Sequence, residues 1–164
     1  QLTGIFNRRV VFDALDEAME NANESQDREF TTIMFDIDFF KQVNDTYGHA
    51  GGDAVLISFA KLLESEITSP NIVGRIGGEE FLAILYLNQD QAAEFCKKLI
   101  IKINDNTVNF DGIDIKISSS GGVAFSSETN TSADLTNKAD ERLYEAKKSG
   151  RNRFKLIDSE LVGD

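Results

Sequence analysis

The sequence predicts an α+β domain of ferredoxin-like type: a βαββαβ sandwich with helices on one face of the sheet. An extra helix comes before it, and an extra helix and strand follow. Three observations carry this. Between residues 28 and 125 the apolar pattern alternates between strand and helix periods in the order βαββαβ. Gly77-Gly78-Glu79-Glu80 stands between two apolar runs, as a hairpin turn does. The 164 residues are 41% hydrophobic and 27% charged, which suits a single domain, residues 1–164, with a substantial core.

Val11, Leu15, Ala18, Met19 and Ala22 recur at helical spacing, and the polar stretch Asn21 to Asp27 ends that helix. Phe30 to Phe35 reads as a buried strand running into Asp36. A short helix is expected after Asp38, interrupted by Gly48, Gly51 and Gly52. A second helix carries Val55, Leu56, Phe59, Ala60 and Leu63, and Pro70 closes the region. Ile72 to Ile76 and Phe81 to Leu87 are the hairpin strands. Ala92, Phe95, Cys96, Leu99, Ile100 and Ile103 stripe the next helix. Ile113, Ile115 and Ile117 alternate as a strand that runs on to Phe125. Thr131 or Ser132 caps a helix bearing Leu135, Ala139, Leu143 and Ala146. Gly150 stops that helix, and Phe154 to Ile157 forms the last strand.

A net charge of −11 argues against a surface built for nucleic-acid polymer or anionic membrane. A phosphate ligand would have to be met by locally placed cations or by metal. No apolar stretch approaches membrane-spanning length. The one cysteine, Cys96, cannot form an internal disulfide and suits a reducing compartment, so a cytoplasmic domain is expected. Its apolar helix stripe makes Cys96 an inert core residue. The one histidine, His49, is expected to pack and hydrogen-bond locally.

The chemistry concentrates in two acidic turns. In Phe35-Asp36-Ile37-Asp38-Phe39-Phe40-Lys41, strand alternation puts Asp36 and Asp38 on one face and Ile37 on the other. A carboxylate at the end of a buried strand is costly unless something positive meets it. In a ferredoxin-like sheet the first strand and the hairpin pair, so Asp36 and Glu79 can face each other. A divalent cation would relieve their repulsion, and Mg²⁺ commonly uses one or two carboxylates plus substrate phosphates. Gly77 and Gly78 would permit the tight turn, some positive φ and the close approach of a ligand. The plain alternative is a hairpin with solvated glutamates.

Gly77-Gly78-Glu79-Glu80-Phe81 resembles the signature of the GGDEF family, the diguanylate cyclases. The likeness covers nearly the whole chain. Leu2-Thr3-Gly4-Ile5-Phe6-Asn7-Arg8-Arg9 resembles the family's opening segment without its leading Asp, as expected of a domain taken from a longer sensor protein. Phe35 to Lys41 resembles the metal-and-phosphate segment. Asn44-Asp45-Thr46-Tyr47-Gly48-His49-Ala50-Gly51-Gly52-Asp53 resembles the Asn-Asp-x-x-Gly-His-x-x-Gly-Asp segment. Ala139-Asp140, Tyr144, Ala146-Lys147 and Ser149-Gly150-Arg151-Asn152 resemble the closing motif.

The resemblance implies a fold of the nucleotidyl-cyclase and polymerase-palm kind. It implies condensation of two GTP molecules into cyclic di-GMP, with pyrophosphate released. The 3′-hydroxyl of one GTP attacks the α-phosphate of the other across a transient homodimer of domains. Asp36, the Ile37 carbonyl and Glu79 would hold two Mg²⁺ ions per half-site, with Mn²⁺ able to substitute. Glu80 is a further metal contact, and Glu79 acts as base or only as ligand. The resemblance puts Phe39 and Phe40 backbone N–H groups, Lys41, Lys147 and Arg151 on the phosphates; Lys41 would also stabilise charge in the reaction. The Phe39 and Phe40 side chains are read as core. Lys147 and Arg151 have a second reading, as a solvated basic end complementing a helix dipole.

Asn44 and Asp53 would read guanine, since a carboxylate accepts from N1–H and N2–H₂ together. Their alternatives are a polar turn residue for Asn44 and a helix N-cap for Asp53. Thr68-Ser69-Pro70-Asn71 lacks the Arg-x-x-Asp that many family members carry there as an inhibitory product site, so no such site is expected. A catalytically weak nucleotide-binding or interaction module is the rival to an enzyme. The parent protein, membrane-anchored or not, would join the domains through an N-terminal sensor.

Overall fold

The computed structural model describes residues 2–157 and 161–163. Helix α1 spans Arg8–Glu24, strand β1 Thr31–Ile37 and helix α2 Phe40–Glu66. Strands β2 (Ile72–Arg75) and β3 (Glu80–Leu85) form the hairpin, and helix α3 covers Gln89–Asp105. Then come β4 (Thr107–Phe110), β5 (Ile113–Lys116), β6 (Ser119–Phe125), helix α4 (Ser132–Lys148), β7 (Arg153–Lys155) and β8 (Leu161–Gly163).

The main sheet runs β2-β3-β1-β6-β7-β8, so β1 lies between the antiparallel neighbours β3 and β6. The β2-β3-β1-β6 portion has the strand order of the predicted βαββαβ unit. Its helices α2 and α3 pack on one face, over Ile33, Phe35, Ile37, Phe81 and Val123. The other face is not open. Helices α1 and α4 cover it through Val11, Leu15, Leu135 and Leu143 against Met34, Leu82, Ile84 and Ala124. Every residue of β1 is therefore buried, odd positions against one helical layer and even positions against the other.

One close approach sets how α4 lies. A Cβ on Gly122 of β6 would fall 1.8 Å from the Ala139 carbonyl and 2.4 Å from the Leu143 nitrogen. Only glycine lets the α4 backbone settle directly on the strand. Thr131 caps α4, its hydroxyl accepting from Asp134 N–H at 3.1 Å. At the far end Arg151 N–H donates to the Ala146 carbonyl at 3.0 Å, with Gly150 at φ 129° between them. This is the glycine-dependent helix stop that Gly150 predicted.

Several boundaries differ from the sequence expectation. Helix α1 continues through Asn21 to Glu24, and the predicted loop contracts to a 3-10 turn, Gln26–Arg28. Gly48 alone breaks helical geometry in α2 (φ 75°, ψ 175°), whereas Gly51 and Gly52 remain helical and buried. The strand expected from Ile113 to Phe125 is two strands, divided at Ile117-Ser118. Its first part pairs with β4 in a separate hairpin around Asp111 and Gly112, at φ 49° and 78°. That pair of positive angles suits the Asp-Gly turn in the sequence, a hairpin signal the periodicity argument passed over. The last predicted strand shortens to Arg153–Lys155, and β8 was not foreseen.

A mostly buried ion pair locks α4 to the end of β6. Arg142 donates to Glu128 Oε1 at 2.6 Å and Oε2 at 2.7 Å, and to the Val123 carbonyl at 2.8 Å. Burial alone would raise the Glu128 carboxyl. The Arg142 hydrogen bonds, the Phe125 N–H and nearby positive charge outweigh it and hold Glu128 below its ordinary value of 4.5. The stabilisation is thus present above about pH 4.5 and is lost as pH falls through the folded-state value. Arg142→Ala should cost about 3 kcal/mol, because it strands a buried carboxylate. Glu128→Gln should flatten the fall in unfolding free energy below pH 5, read by urea titration across pH. An unchanged acid slope in Glu128→Gln would refute this assignment.

Candidate active site

The site lies where β1 ends. Asp36 is 6% exposed and sits on the α4 face of the sheet, opposite Glu80 on β3 and Ser120 on β6. Its Oδ2 accepts from Lys147 of α4, and its buried Oδ1 has no hydrogen-bond partner. Burial pushes the Asp36 carboxyl above its ordinary range. Lys147 pulls it back only in part, and the Glu79 and Glu80 charges add to the rise. Asp38, two residues on, is also buried, but its carboxylate is fully engaged with Ser118, Ser120 and the Asn152 N–H.

The acidic hairpin is fastened to this strand end. Ile37 N–H donates to the Glu79 carbonyl at 3.3 Å, and Ile76 N–H to the Glu80 carbonyl at 2.9 Å. Contrary to expectation, neither Gly77 nor Gly78 has a positive φ. Gly77 instead makes room for a carboxylate: a Cβ there would come 2.8 Å from Glu80 Oε1. Gly78 faces open space, with nothing within 4 Å of such an atom. The turn is braced by Arg75, whose Nε donates to the Gly77 and Gly78 carbonyls at 3.1 and 2.9 Å. Arg8 donates to the Ile76 carbonyl at 2.9 Å. Neither arginine was given a role from the sequence, although Arg8 lies in the opening motif and Arg75 immediately precedes the turn.

Helix α2 begins at Phe40 behind Phe39, which is left-handed (φ 57°) and provides no side-chain cap. The first-turn N–H groups thus lack a side-chain acceptor, as an anion site requires. The Phe39 ring is not core: it is 53% exposed, and the Arg151 guanidinium lies over it at 4.7 Å. Phe40 packs partly into the core, and Lys41 is exposed. Lys147 is not the solvated helix end of the alternative reading, since it is committed to Asp36.

Asn44 and Asp53 stand on either side of the Gly48 break. Asp53 lies within the helix, so it is not an N-cap. Gly52 lies against Asn44: a Cβ there would be 1.8 Å from Asn44 Oδ1. The missing side chain lets the Asn44 carboxamide sit beside the turn that carries Asp53. His49 is exposed rather than packed, and Cys96 is buried.

A family model described as "Diguanylate cyclase, GGDEF domain" matches residues 1–153. The chain belongs to the GGDEF family. Diguanylate cyclase A of Treponema denticola is 35% identical over 164 residues, covering 98% of this chain and 44% of that protein. Diguanylate cyclase DgcS of Shewanella oneidensis is 37% identical over 160 residues, covering 98% and 53%. The chain spans about half the length of these relatives. Among solved structures, the GGDEF domain of DgcB from Caulobacter crescentus in complex with c-di-GMP superposes with a TM-score of 0.90. It is 29% identical, with 97% of this chain and 92% of that one covered. SiaD of Pseudomonas aeruginosa, in complex with its activator SiaC, gives 0.89 at 34% identity, with 95% and 60% covered.

In this GGDEF domain, no described group of three His, Cys, Asp or Glu side chains could by itself hold a metal ion. The donor set suits a hard cation all the same. Asp36 offers a buried oxygen with no partner, Glu79 and Glu80 are close enough to perturb its ionisation, and substrate phosphates would complete the shell. Lys147 supplies the positive charge such a cation would bring. Lys147→Met should therefore lower the unfolding midpoint in chelator by about 2–4 °C, the equivalent of roughly 1 kcal/mol. Added Mg²⁺ should then raise the midpoint more in the variant than in the unsubstituted protein. Equal Mg²⁺ responses, measured by calorimetry, would contradict this role for Lys147.

Proposed function

We propose that this domain is a diguanylate cyclase: two GTP molecules, one on each domain of a transient homodimer, are joined into cyclic di-GMP. The observation that carries the proposal is the meeting of three features at one sheet end. These are a buried aspartate with a free oxygen, an acidic hairpin hydrogen-bonded to the same strand, and an uncapped helix start flanked by cations.

The 3′-oxygen of one GTP forms a bond to the α-phosphorus of the other, and the bond from that phosphorus to the bridging oxygen breaks, releasing pyrophosphate. A second, symmetric step closes the ring. Two Mg²⁺ ions per half-site, or Mn²⁺ in their place, would bind Asp36, the Ile37 carbonyl, Glu79 and Glu80 and neutralise charge on the phosphates. Phe39 and Phe40 N–H groups, Lys41, Lys147 and Arg151 bind and orient the triphosphate. Glu79 serves as a metal ligand or takes the proton of the attacking hydroxyl. Asp53 accepts from guanine N1–H and N2–H₂, and the Asn44 amide donates to O6 or N7. Adenine lacks the N2 donor and would leave Asp53 unpaired.

The local cations matter because the domain's net charge of −11 opposes a triphosphate. Two such domains also repel each other. A sensor segment in the intact protein would hold them together. Among the described residues no helix is long and apolar enough to cross a membrane.

Incubation with GTP and Mg²⁺ should yield cyclic di-GMP by mass spectrometry, at a rate rising faster than linearly with protein concentration. Glu79→Gln should abolish it. Added cyclic di-GMP should not inhibit tightly and non-competitively, given Thr68-Ser69-Pro70-Asn71. No product at any concentration would favour a nucleotide-binding module instead. Gly52→Ala should displace the Asn44 carboxamide, raise KM for GTP roughly tenfold and narrow the preference over ATP. Its unfolding midpoint should hold, since alanine suits a helix interior better than glycine. A Gly52→Ala enzyme with unaltered KM would remove Asn44 from the guanine site.

A further inference from the structure

Asp38 has no part in the chemistry just described, yet it is 4% exposed and carries the densest polar contacts near the site. Ser118 Oγ donates to its Oδ2 at 2.6 Å, Ser120 Oγ to its Oδ1 at 2.7 Å, and Asn152 N–H to its Oδ2 at 2.9 Å. Its own N–H donates to the Ser118 carbonyl at 2.9 Å. One carboxylate therefore joins the end of β1, the start of β6 and the loop between α4 and β7.

That loop is where Arg151 sits, and it is held in a conformation that needs holding. Arg151 and Asn152 both take left-handed backbone angles, φ 64° and 51°. For a residue with a Cβ such angles are unfavourable, more so for Arg than for Asn, and they persist where neighbouring contacts enforce them. Arg151 N–H is tied to the Ala146 carbonyl on one side, and Asn152 N–H to Asp38 on the other. Between these two ties the Arg151 side chain is laid over the Phe39 ring, at the uncapped start of α2. Phe39 is the next residue after Asp38, so the segment that carries the ring also carries the anchor.

We propose that Asp38 is a positioning residue for triphosphate binding. Its carboxylate fixes the α4–β7 loop so that Arg151 is presented over Phe39 towards the phosphates. The proposal rests on the diguanylate cyclase reading for the identity of the ligand, but the coupling of Asp38 to Arg151 is a property of this chain alone. It differs from the role of Asp36, because both Asp38 oxygens are already bonded whereas Asp36 keeps one oxygen without a partner. Asp38 acts on the phosphate end only. Guanine recognition, assigned above to Asn44 and Asp53, lies further along α2.

The test uses 3′-deoxy-GTP, which lacks the attacking hydroxyl and cannot be condensed, and 3′-deoxyguanosine, which lacks the phosphates. Binding is followed by NMR titration with Mg²⁺ for the unsubstituted domain, Asp38→Asn, Arg151→Ala and the double variant. Asp38→Asn keeps the volume and one acceptor oxygen, so it tests the contact where Asp38→Ala would risk the fold. The expected result is a roughly tenfold loss of 3′-deoxy-GTP affinity in Asp38→Asn, as for one charge-assisted contact. The nucleoside should bind all variants equally, and the double variant should be no weaker than Arg151→Ala alone. Trypsin should also cut after Arg151 sooner in Asp38→Asn without nucleotide.

Equal losses for nucleotide and nucleoside, or additive losses in the double variant, would overturn the positioning role and assign Asp38 to the fold in general. If the unsubstituted domain bound no 3′-deoxy-GTP, the cyclase reading and the triphosphate role would both fall. Accelerated cleavage at Arg151 would still separate that failure from a failure of the Asp38 tether.

Discussion

A carboxylate at the end of a strand buried on both faces is the constraint from which the site follows. Asp36 is largely withdrawn from water where it stands, because α2 and α3 close one side of β1 while α1 and α4 close the other. A charge so placed needs a positive partner. Lys147 meets one oxygen and leaves the other without a donor. The half-satisfied state is unfavourable for stability and suitable for binding. The neighbouring Glu79 and Glu80 make it more unfavourable still, adding to burial in pushing the Asp36 carboxyl above its ordinary range. A cation and an anionic ligand bound together would satisfy the excess negative charge and the lysine at once.

The backbone reaches this arrangement through missing side chains. Gly122 lets α4 rest on β6, which carries Lys147 in to Asp36. Gly52 lets the Asn44 carboxamide approach its own helix across the Gly48 break. Gly77 lets Glu80 fold back over the hairpin. At Gly122 a Cβ would meet backbone, and at Gly52 and Gly77 it would displace a side-chain end; at none of the three is φ positive. Gly52 and Gly77 thus act by allowing close packing, whereas Gly48 and Gly150 act through positive φ.

The βαββαβ order was legible because it depends on periodicity, which a single sequence carries in full. Asp36 and the hairpin were legible because unlike residue types interrupt apolar runs there, whereas the basic pair Lys147 and Arg151 took its role from the family resemblance. The covering of the second face was only half visible. Met34, Leu82, Ile84 and Ala124 are apolar at even positions, but periodicity does not say which helix they meet. Arg75 and Asp38 were passed over for a different reason: their partners are backbone groups and distant serines. Ser118 is 80 residues from Asp38. No local spacing announces such a contact, and an aspartate two residues from a metal-site candidate reads as more of the same acid. The β4–β5 hairpin is the one omission with a plain local signal, Asp111-Gly112, hidden by the alternation of isoleucines through Ile117.

Charge distribution accounts for how an acidic protein could serve the proposed anionic substrate. Salt screens the net charge of −11 beyond about 8 Å at physiological ionic strength. Lys147 and Arg151 come from one helix end, and Lys41 from the first turn of another, so positive groups border the strand end that holds Asp36. Field at short range is set by these local groups and by the uncapped N–H dipoles of α2, which screening reaches least. The same separation of scales would keep two free domains apart until something else holds them together. On the proposed reading, overall repulsion would make assembly the controlling step, while the local cations would leave ligand binding on each domain intact.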